Sequence, residues 1–263
     1  MKLSIVVPAY NEESRIVPTL LDMRDYLEEQ TYDYEIIVVV NGSTDQTFMA
    51  AKSLADLGMN KILVKELPVA GKGNAVKRGI LDYSFGDIIL FMDADNATKV
   101  SEIGKFFRYF QRGYDVVIGS RYLNSSLIKR SQPFYRVALS RLSNALIRLM
   151  AVPGVRDTQL GFKAFTQQAA LDIFPLATVN NWAFDIEILA IARERGYNIK
   201  EVPVIWAEPG GSHVRLKAYW QSLRELFGIK RRMMSGKYQA PSVISVKGRG
   251  SAGADIKTRY DIM

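Results

Sequence analysis

Two aspartates separated by a single residue, Asp93 and Asp95, follow directly on the apolar run from Ile88 to Met92. Two carboxylates at the end of a strand can both turn toward one hard cation, and ligation by oxygen alone suits Mg²⁺ or Mn²⁺. Unpaired carboxylates this close repel each other unless a cation or a donor lies between them. The structural alternative is a solvated turn in which Asp95 caps the next helix. Other residues must therefore decide whether this is a divalent-metal site.

Three further segments carry residues that suit ligand binding. Tyr10-Asn11-Glu12 and Asn41-Gly42-Ser43 each follow an apolar run, and Gly71-Lys72-Gly73-Asn74-Ala75 precedes a helical pattern. Glycines before a helix allow backbone N–H groups to approach an anion such as a diphosphate, although an ordinary helix-start turn explains them equally well. Ser43 and Gln46 fit the capping-box spacing. If Ser43 and Gln46 cap a helix, Asn41 is the residue of this segment that remains available to contact a base or a ribose.

The elements that must position these residues form an α/β pattern. Apolar runs alternate with helical patterns, and we predict strands at Leu3 to Pro8, Glu35 to Val40, Lys61 to Glu66, Asp87 to Met92 and Asp115 to Gly119. Runs that are apolar on both faces are typical of a parallel sheet covered by helices on each side. Ligands bind beyond the carboxyl ends of such strands. We therefore expect the polar segments and the aspartate pair to meet at one edge of the sheet.

Composition excludes several classes of site. The 263 residues are 48% hydrophobic and contain no cysteine, so a disulfide framework, a thiolate metal site and a cysteine nucleophile are excluded, and we expect a reducing compartment. A zinc site is not expected with a single histidine, His213. No apolar run reaches the roughly 18 to 20 residues that span a bilayer, and the N-terminus does not resemble a signal peptide. We expect a chain that does not cross a membrane by itself.

Positive charge and amphipathic helices concentrate toward the C-terminus. The formal net charge is +8, and residues 203–263 contain eleven Lys or Arg against four Asp or Glu. Amphipathic helices are predicted at 133–151, where Leu146 and Leu149 continue an apolar stripe, and from about Arg215 to Met234, where Leu226 and Phe227 do so. Both helices could lie on a membrane interface, or pack their stripes on the sheet. A flexible tail is expected at 239–263.

Taken in order, a set of motifs in this chain resembles family 2 glycosyltransferases, and more narrowly the dolichyl-phosphate β-glucosyltransferases and other polyprenyl-phosphate glycosyltransferases. The likeness covers residues 3 to 235, and its segments are VVPAYNEE, NGSTDQT, GKGNAVKRGI, MDADNATK, GSR, DTQLGFKAF, WAFDIEIL and EVPVIWAEPGGS. It implies a GT-A fold, a Rossmann-like and mostly parallel sheet flanked by helices. It also implies inverting transfer of a hexose, with glucose from UDP-glucose favoured, to a polyprenyl or dolichyl phosphate.

The resemblance also assigns roles to residues of this sequence. The donor is expected near six residues, with Mg²⁺ or Mn²⁺ on Asp93 and Asp95; the six are Pro8, Tyr10, Glu12, Asn41, Lys72 and Asp93. Family members commonly carry two aspartates where this chain has Val40 and Asn41, which leaves the donor base open, because an amide can read uracil or guanine. Arg121 matches the family motif for the acceptor phosphate. Arg136 and Arg141, on the first amphipathic helix, are added to the acceptor site from their charge, with a solvated or lipid-facing position as the alternative.

The chemistry of a phosphate acceptor limits what the catalytic residues must do. A phosphate monoester with a second pKa of about 6 is largely dianionic at neutral pH, so its oxygen attacks without a strong general base. Asp157 and Asp185 lie at family positions linked to catalysis and are expected to orient groups rather than to take a proton. For Asp185, an ion pair with a nearby arginine on a helix face is the structural alternative.

These inferences define a domain plan and two alternative functions. We expect a GT-A domain at 1–212, with a donor half at 1–100 and an acceptor half at 101–212, and an amphipathic interface region at 213–238 before the tail. The protein is expected on the cytoplasmic face of a membrane, held peripherally, with no nucleic-acid partner. One alternative is transfer to a sugar hydroxyl, for which Asp185 would be a true base. The other is a non-enzymatic basic module that binds lipid or nucleic acid, and it leaves DADNATK unexplained.

Overall fold

A computed structural model describes residues 1–123, 127–128, 146–181, 183–207 and 216–239. The strands are β1 Lys2–Ala9, β2 Asp33–Asn41, β3 Ile62–Leu67, β4 Ile88–Met92, β5 Val116–Ser120, β6 Leu127–Ile128, β7 Phe162–Thr166, β8 Ile199–Pro203 and β9 Ile205–Trp206. The helices are α1 Ile16–Glu28, α2 Thr47–Asp56, α3 Lys72–Arg78, α4 Gly104–Phe110, α5 at residues 146–150, α6 Gln167–Ile173, α7 Phe184–Glu194 and α8 Leu216–Met234. All five predicted strands are confirmed.

Seven strands form one mixed sheet in the order β3-β2-β1-β4-β7-β5-β8. All neighbours are parallel except β7, which runs antiparallel to both β4 and β5. The strand β7 was not predicted, although its residues belong to the DTQLGFKAF motif. The strand order reverses between β1 and β4, and a crevice for ligands is expected at such a switch point. The sheet combines strands from both predicted halves, and the division into domains stays a prediction.

Helices cover both faces of the sheet, which is why its central strands are apolar throughout. Every residue of β4 is buried. One core layer joins the sheet to α3, α6 and α7, and the other joins it to α1 and α4. Burial of apolar area at roughly 25 cal/mol per Å² makes these two layers the main source of stability. The structure confirms the predicted α/β class.

The start of α2 differs from the predicted capping box. Gln46 precedes the helix and makes no side-chain cap. The Ser43 hydroxyl instead accepts a hydrogen bond from the Asn11 N–H at 3.1 Å, and the Asp45 carboxylate accepts one from the Thr47 N–H at 3.0 Å. The capping-box prediction is therefore wrong, because Ser43 links the turn after β2 to the turn after β1.

The predicted C-terminal helix is confirmed as α8, but its apolar stripe is divided. Leu226 and Ile229 are buried in the core against α7, whereas Phe227 is exposed. Of the two alternatives for the apolar stripe, packing on the rest of the protein is therefore confirmed for Leu226. Among the residues that the structure describes, no helix is long and apolar enough to cross a membrane.

Only the end of the first amphipathic helix falls within the described residues. In α5 the side chains of Leu146 and Met150 pack against the core as the predicted stripe requires, whereas Leu149 of that stripe is exposed and Ile147 is buried in its place. Arg136, Arg141 and His213 lie outside the described residues, as does the predicted tail beyond residue 239.

Candidate functional site

The carboxyl ends of β1, β2 and β4 surround a cleft of about 360 Å³ at the switch point of the sheet. All six residues predicted near the donor line this cleft, together with Asp95. The full lining is Pro8, Tyr10, Glu12, Asn41, Ala70, Gly71, Lys72, Asp93, Ala94, Asp95 and Asn181. The predicted meeting of these segments at one edge of the sheet is confirmed. Their roles in binding stay predictions.

Asp93 and Asp95 leave the end of β4 in different surroundings. One oxygen of Asp93 forms an ion pair with the Lys72 ammonium group at 2.6 Å, and the Asp93 N–H donates to the Gly161 carbonyl at 3.0 Å. A Cβ atom on Gly161 would overlap the Asp93 carboxylate, so only glycine fits against it. Asp95 accepts a hydrogen bond from the Ala97 N–H at 3.0 Å. Asp95 thus closes a local turn, and the following helical turn begins only at Val100.

Negative charge accumulates at this edge of the cleft. Burial raises the pKa of Asp95, and the neighbouring Asp93 carboxylate raises it further. Burial also raises the pKa of Glu12, against the opposing charge of Arg15 and with the help of both aspartates. For Lys72, burial would lower the pKa, but Asp93 and Asp185 outweigh it and raise the pKa above its usual range. Lys72 therefore stays a cation, and the three carboxylates favour a further cation.

This donor set fits a divalent metal ion that is shared with a ligand. Asp93 and Asp95 supply hard carboxylate oxygens on one wall of the cleft. The described residues contain no group of three or more His, Cys, Asp or Glu that could hold a metal alone. Mg²⁺ commonly binds through one or two carboxylates, with substrate phosphates and water completing its coordination. The two aspartates would hold the ion, and the remaining positions suit a diphosphate.

The turns around the cleft are fixed to one another through backbone groups. With its amide nitrogen turned toward β1, the Asn41 side chain donates to the Ala9 carbonyl at 2.8 Å and accepts from the Gly71 N–H at 3.1 Å. Asn41 is only 4% exposed, so it joins two walls as well as lining the cleft. The Gly73 N–H donates to the Asn180 carbonyl at 2.9 Å and is not available for an anion. Tyr10 is 51% exposed at the mouth of the cleft.

Arg121 and Asp157 form a buried ion pair behind the cleft. The guanidinium group donates to both Asp157 oxygens, at 2.8 and 2.9 Å, and the Arg121 N–H donates to the same carboxylate at 3.0 Å. Burial would raise the pKa of Asp157, but the charge and hydrogen bonds of Arg121 hold it below its usual range. Asp157 is fully buried. Asp157 is therefore placed to hold Arg121 rather than to take a proton. The charge of Arg121 in turn interacts with the Asp93 carboxylate.

Asp185 is also ion-paired, but with a lysine instead of the arginine that the alternative interpretation expected. The Lys163 ammonium group on β7 donates to Asp185 at the start of α7 and to the Leu160 carbonyl. Burial lowers the pKa of Lys163 and raises that of Asp185, and the attraction within the pair opposes both changes. Asp185 is 2% exposed. A carboxylate so enclosed and occupied is poorly placed to act as a base.

Three residues near the site were not identified from the sequence. Lys163 and Gly161 lie within the DTQLGFKAF motif, where a lysine inside an apolar run was a signal of a buried charge. Asn181 lines the cleft from the loop before α7 and carried no signal, because it reaches the site only through the packing of that loop on α3.

Comparisons with known proteins agree with this fold. The profile described as Glycosyl transferase family 2 matches residues 4–174. Dolichyl-phosphate beta-glucosyltransferase of Drosophila melanogaster is 37% identical over 261 residues, which cover 92% of this chain and 78% of the relative. The protein of the same name from Homo sapiens is 36% identical over 256 residues, covering 90% and 78%.

A solved structure shows the same fold at low sequence identity. Glucosyl-3-phosphoglycerate synthase from Mycobacterium tuberculosis, crystallised with Mn²⁺, UDP and glucosyl-3-phosphoglycerate, aligns with a TM-score of 0.65 and 20% identity. The alignment covers 92% of this chain and 81% of the synthase. The fold is GT-A. The chain belongs to glycosyl transferase family 2.

Gly161→Ala is expected to lower transferase activity without unfolding the protein. The new methyl group must displace the Asp93 carboxylate, and a shift of about 1 Å at a reacting centre can cost about 100-fold. We expect a fall of about 10-fold to 100-fold in kcat/KM, measured with a near-normal melting temperature. Gly104→Ala is the control, since its Cβ would make only an ordinary contact with the Tyr26 hydroxyl. Equal activity of Gly161→Ala and wild type would contradict the close approach.

Lys163→Met is expected to lower the free energy of unfolding by about 3–5 kcal/mol, because it leaves the Asp185 carboxylate buried without a partner. The double variant Lys163→Met, Asp185→Leu should recover most of this loss. Urea unfolding followed by circular dichroism measures both. As a surface control, Lys99→Met breaks the exposed ion pair with Asp22 and should cost less than about 1 kcal/mol. A similarly small cost at Lys163 would show that the pair contributes little.

Proposed function

We propose that this glycosyltransferase moves glucose from UDP-glucose to a polyprenyl phosphate of the dolichyl type at the surface of a membrane. The observation that carries the reaction is the cleft in which Asp93, Asp95 and Lys72 meet at the switch point of the sheet. The choice of glucose and of a dolichyl-type acceptor is supported by the names of relatives that are 36% to 37% identical over most of the chain. The choice of UDP rests on the likeness of the fold to a synthase crystallised with UDP.

The donor would enter the cleft with its nucleoside toward β1 and β2 and its diphosphate toward β4. Pro8, Tyr10, Glu12 and Asn41 line the first part, and Asp93 and Asp95 line the second. The Lys72 ammonium group, fixed beside Asp93, supplies positive charge next to the diphosphate. When bound to Asp93 and Asp95, Mg²⁺ or Mn²⁺ would supply Lewis-acid stabilisation of the leaving nucleoside diphosphate.

Transfer then requires a nucleophile that is already charged. An oxygen of the acceptor phosphate forms a bond to the anomeric carbon of the sugar, while the bond from that carbon to the donor diphosphate breaks and UDP leaves with inversion. No proton has to be removed from a dianionic phosphate. The pairing of Asp157 with Arg121 and of Asp185 with Lys163 supports this acceptor over a sugar hydroxyl, which would require a free carboxylate as a base. Arg121, with Arg136 and Arg141 from the sequence, remains the proposed contact of the acceptor phosphate.

A peripheral position on the membrane, at its cytoplasmic face, is part of the proposal. The outer face of α8 exposes 61% of Phe227 and 79% of Met234. Arg224, one turn before Phe227, and Arg231, between the two apolar residues, are exposed on the same face. Apolar side chains flanked by arginines suit the boundary between lipid headgroups and acyl chains, and the arginines attract anionic lipids.

The first test is transfer of radiolabelled glucose from UDP-glucose into an organic-extractable polyprenyl phosphate. We expect product with Mn²⁺ and a fall of at least about 100-fold with Asp95→Asn, since several kcal/mol of transition-state stabilisation would be lost, at about 1.4 kcal/mol per factor of ten. Asp56→Asn, at the exposed end of α2, is the control with the same chemical change and should keep full activity.

Three other results would redirect the proposal. Label in the lipid phase from a different nucleotide sugar would change the donor. Transfer to a sugar hydroxyl but never to polyprenyl phosphate would make the acceptor wrong and would favour Asp185 as a base. Strong, metal-independent and salt-dependent binding of nucleic acid without any transfer would support the non-enzymatic alternative.

Phe227→Asp and Met234→Asp are each expected to weaken binding to anionic vesicles by about tenfold or more, because burying a side chain of this size contributes about 1.5–3 kcal/mol. Vesicle co-sedimentation measures the change. Leu57→Asp is the control, since Leu57 is an equally exposed apolar residue at the end of α2. Unchanged sedimentation of both α8 variants would exclude this face as the contact with lipid.

A further inference from the structure

The carboxylate of Glu187 lies at a junction between α7, the loop before it and the C-terminal region. Glu187 is fully buried and accepts hydrogen bonds from the Thr178 N–H and hydroxyl, both at 2.8 Å, and from the Val179 N–H at 2.6 Å. It also accepts from the Tyr238 hydroxyl at 2.8 Å and forms an ion pair with Arg232 of α8 at 3.1 Å. One side chain on α7 thus ties the loop before that helix, described at residues 177–181 and 183, to the C-terminal helix.

This loop contributes Asn181 to the wall of the cleft. The Asn180 carbonyl accepts the hydrogen bond from the Gly73 N–H at 2.9 Å. The contact with α3 is close, because a Cβ atom on Gly73 would lie 2.5 Å from the Val179 carbonyl oxygen. Any shift of this loop therefore moves α3 and the position of Lys72, which begins that helix.

A second carboxylate, on α8 itself, contacts the same loop. Glu225 accepts hydrogen bonds from the Asn181 side-chain amide at 3.3 Å and from the Ala183 N–H at 3.2 Å. Between them, Glu187 and Glu225 accept the backbone N–H groups of Thr178, Val179 and Ala183. Ala183 is buried, and a buried backbone donor that loses its partner costs more free energy than the hydrogen bond contributed, so we expect the loop to move with these two carboxylates.

The first turn of α7 connects this junction to the charges of the site. Asp185, two residues before Glu187, pairs with Lys163 and lies within electrostatic reach of Lys72 and Asp93. Glu187 contacts the loop and α8, whereas Asp185 pairs with Lys163. The contacts of α8 are thereby within one helical turn of Asp185, whose charge acts on Lys72 in the cleft.

We propose that Glu187 and Glu225 are positioning residues for the donor, which fix the described residues of the loop before α7 (177–181 and 183) so that α8 sets one wall of the donor cleft. This inference rests on the proposed function, because it takes the cleft to be the donor site. It assigns α8 a task separate from lipid binding. The outer face carries Phe227 and Met234, and the inner side carries Glu225 and Arg232.

Glu225→Ala in the full chain is the sharpest test, because Glu225 is only partly buried and the variant is expected to fold. Losing two hydrogen bonds to the wall should raise the Kd for UDP with Mn²⁺, and the KM for the donor, by about 5-fold to 20-fold. The kcat should change less than about twofold, and Glu225→Gln, which keeps an acceptor oxygen, should restore binding to within about twofold of wild type. Calorimetric titration with UDP and Mn²⁺ and steady-state kinetics provide these values.

Glu194→Ala is the matched control. Glu194 lies on α7 and accepts from the Gln239 side chain in the C-terminal turn, but it does not contact the loop. Its variant should bind UDP as wild type does. An equal loss of UDP binding in Glu194→Ala would reduce the effect to general stability and overturn the inference, as would normal UDP binding by a folded Glu225→Ala.

Amide hydrogen exchange separates this inference from the proposed function. In Glu225→Ala, the amides at 177–181, that of Ala183 and that of Gly73 should exchange at least about tenfold faster than in wild type, without any ligand present. Unchanged exchange would overturn the positioning of the loop. If wild type fails to bind UDP with Mn²⁺ while the exchange of the variant rises, the donor assignment is wrong and the connection between α8 and the loop stands.

Discussion

Asp93 lies between the ammonium group of Lys72 and the bare Cα of Gly161, and the architecture of the cleft follows from this contact. A carboxylate at the end of a buried strand must be compensated, or it will be protonated or displaced. Lys72 provides one charge, and its place at the start of α3 requires the close packing of Gly73 on the loop before α7. Asp95, on the same turn, carries the charge that Lys72 does not balance.

Two further ion pairs compensate charged groups in the interior of the protein near the cleft. Arg121 with Asp157 and Lys163 with Asp185 are buried pairs whose charges lie within reach of Asp93 or Lys72. Such pairs add little to stability, since desolvation offsets most of their attraction, and their value lies in holding charges in fixed places. They hold positive groups near the cleft and occupy the Asp157 and Asp185 carboxylates, so neither of these two is placed to take a proton. A nucleophile that arrives already ionised suits these surroundings.

The C-terminal helix has one side that packs on the protein and one side that is exposed, whereas the sequence indicated a single apolar stripe. Its stripe of apolar residues indicated an interface, yet Leu226 and Ile229 belong to the core and only the opposite side is exposed. The inner side carries Glu225 and Arg232 to the loop and to Glu187. A helix that contacts both a surface and a binding-site wall transmits its own position to the site, because packed interiors transmit strain.

The sequence by itself determined the class of the fold, the five strands that were predicted and the residues gathered at their carboxyl ends. These depend on local periodicity and on the rule that parallel strands end at one edge, both of which a single chain displays. Family motifs also predicted roles for Asp157 and Arg121, and these roles stay predictions. The antiparallel β7, the partner of Asp185, the close approach of Gly161 and the loop bearing Asn181 were decided only by tertiary structure. Each depends on contacts between residues far apart in the chain, where packing and the pairing of buried charges select one partner among several that the sequence allows equally.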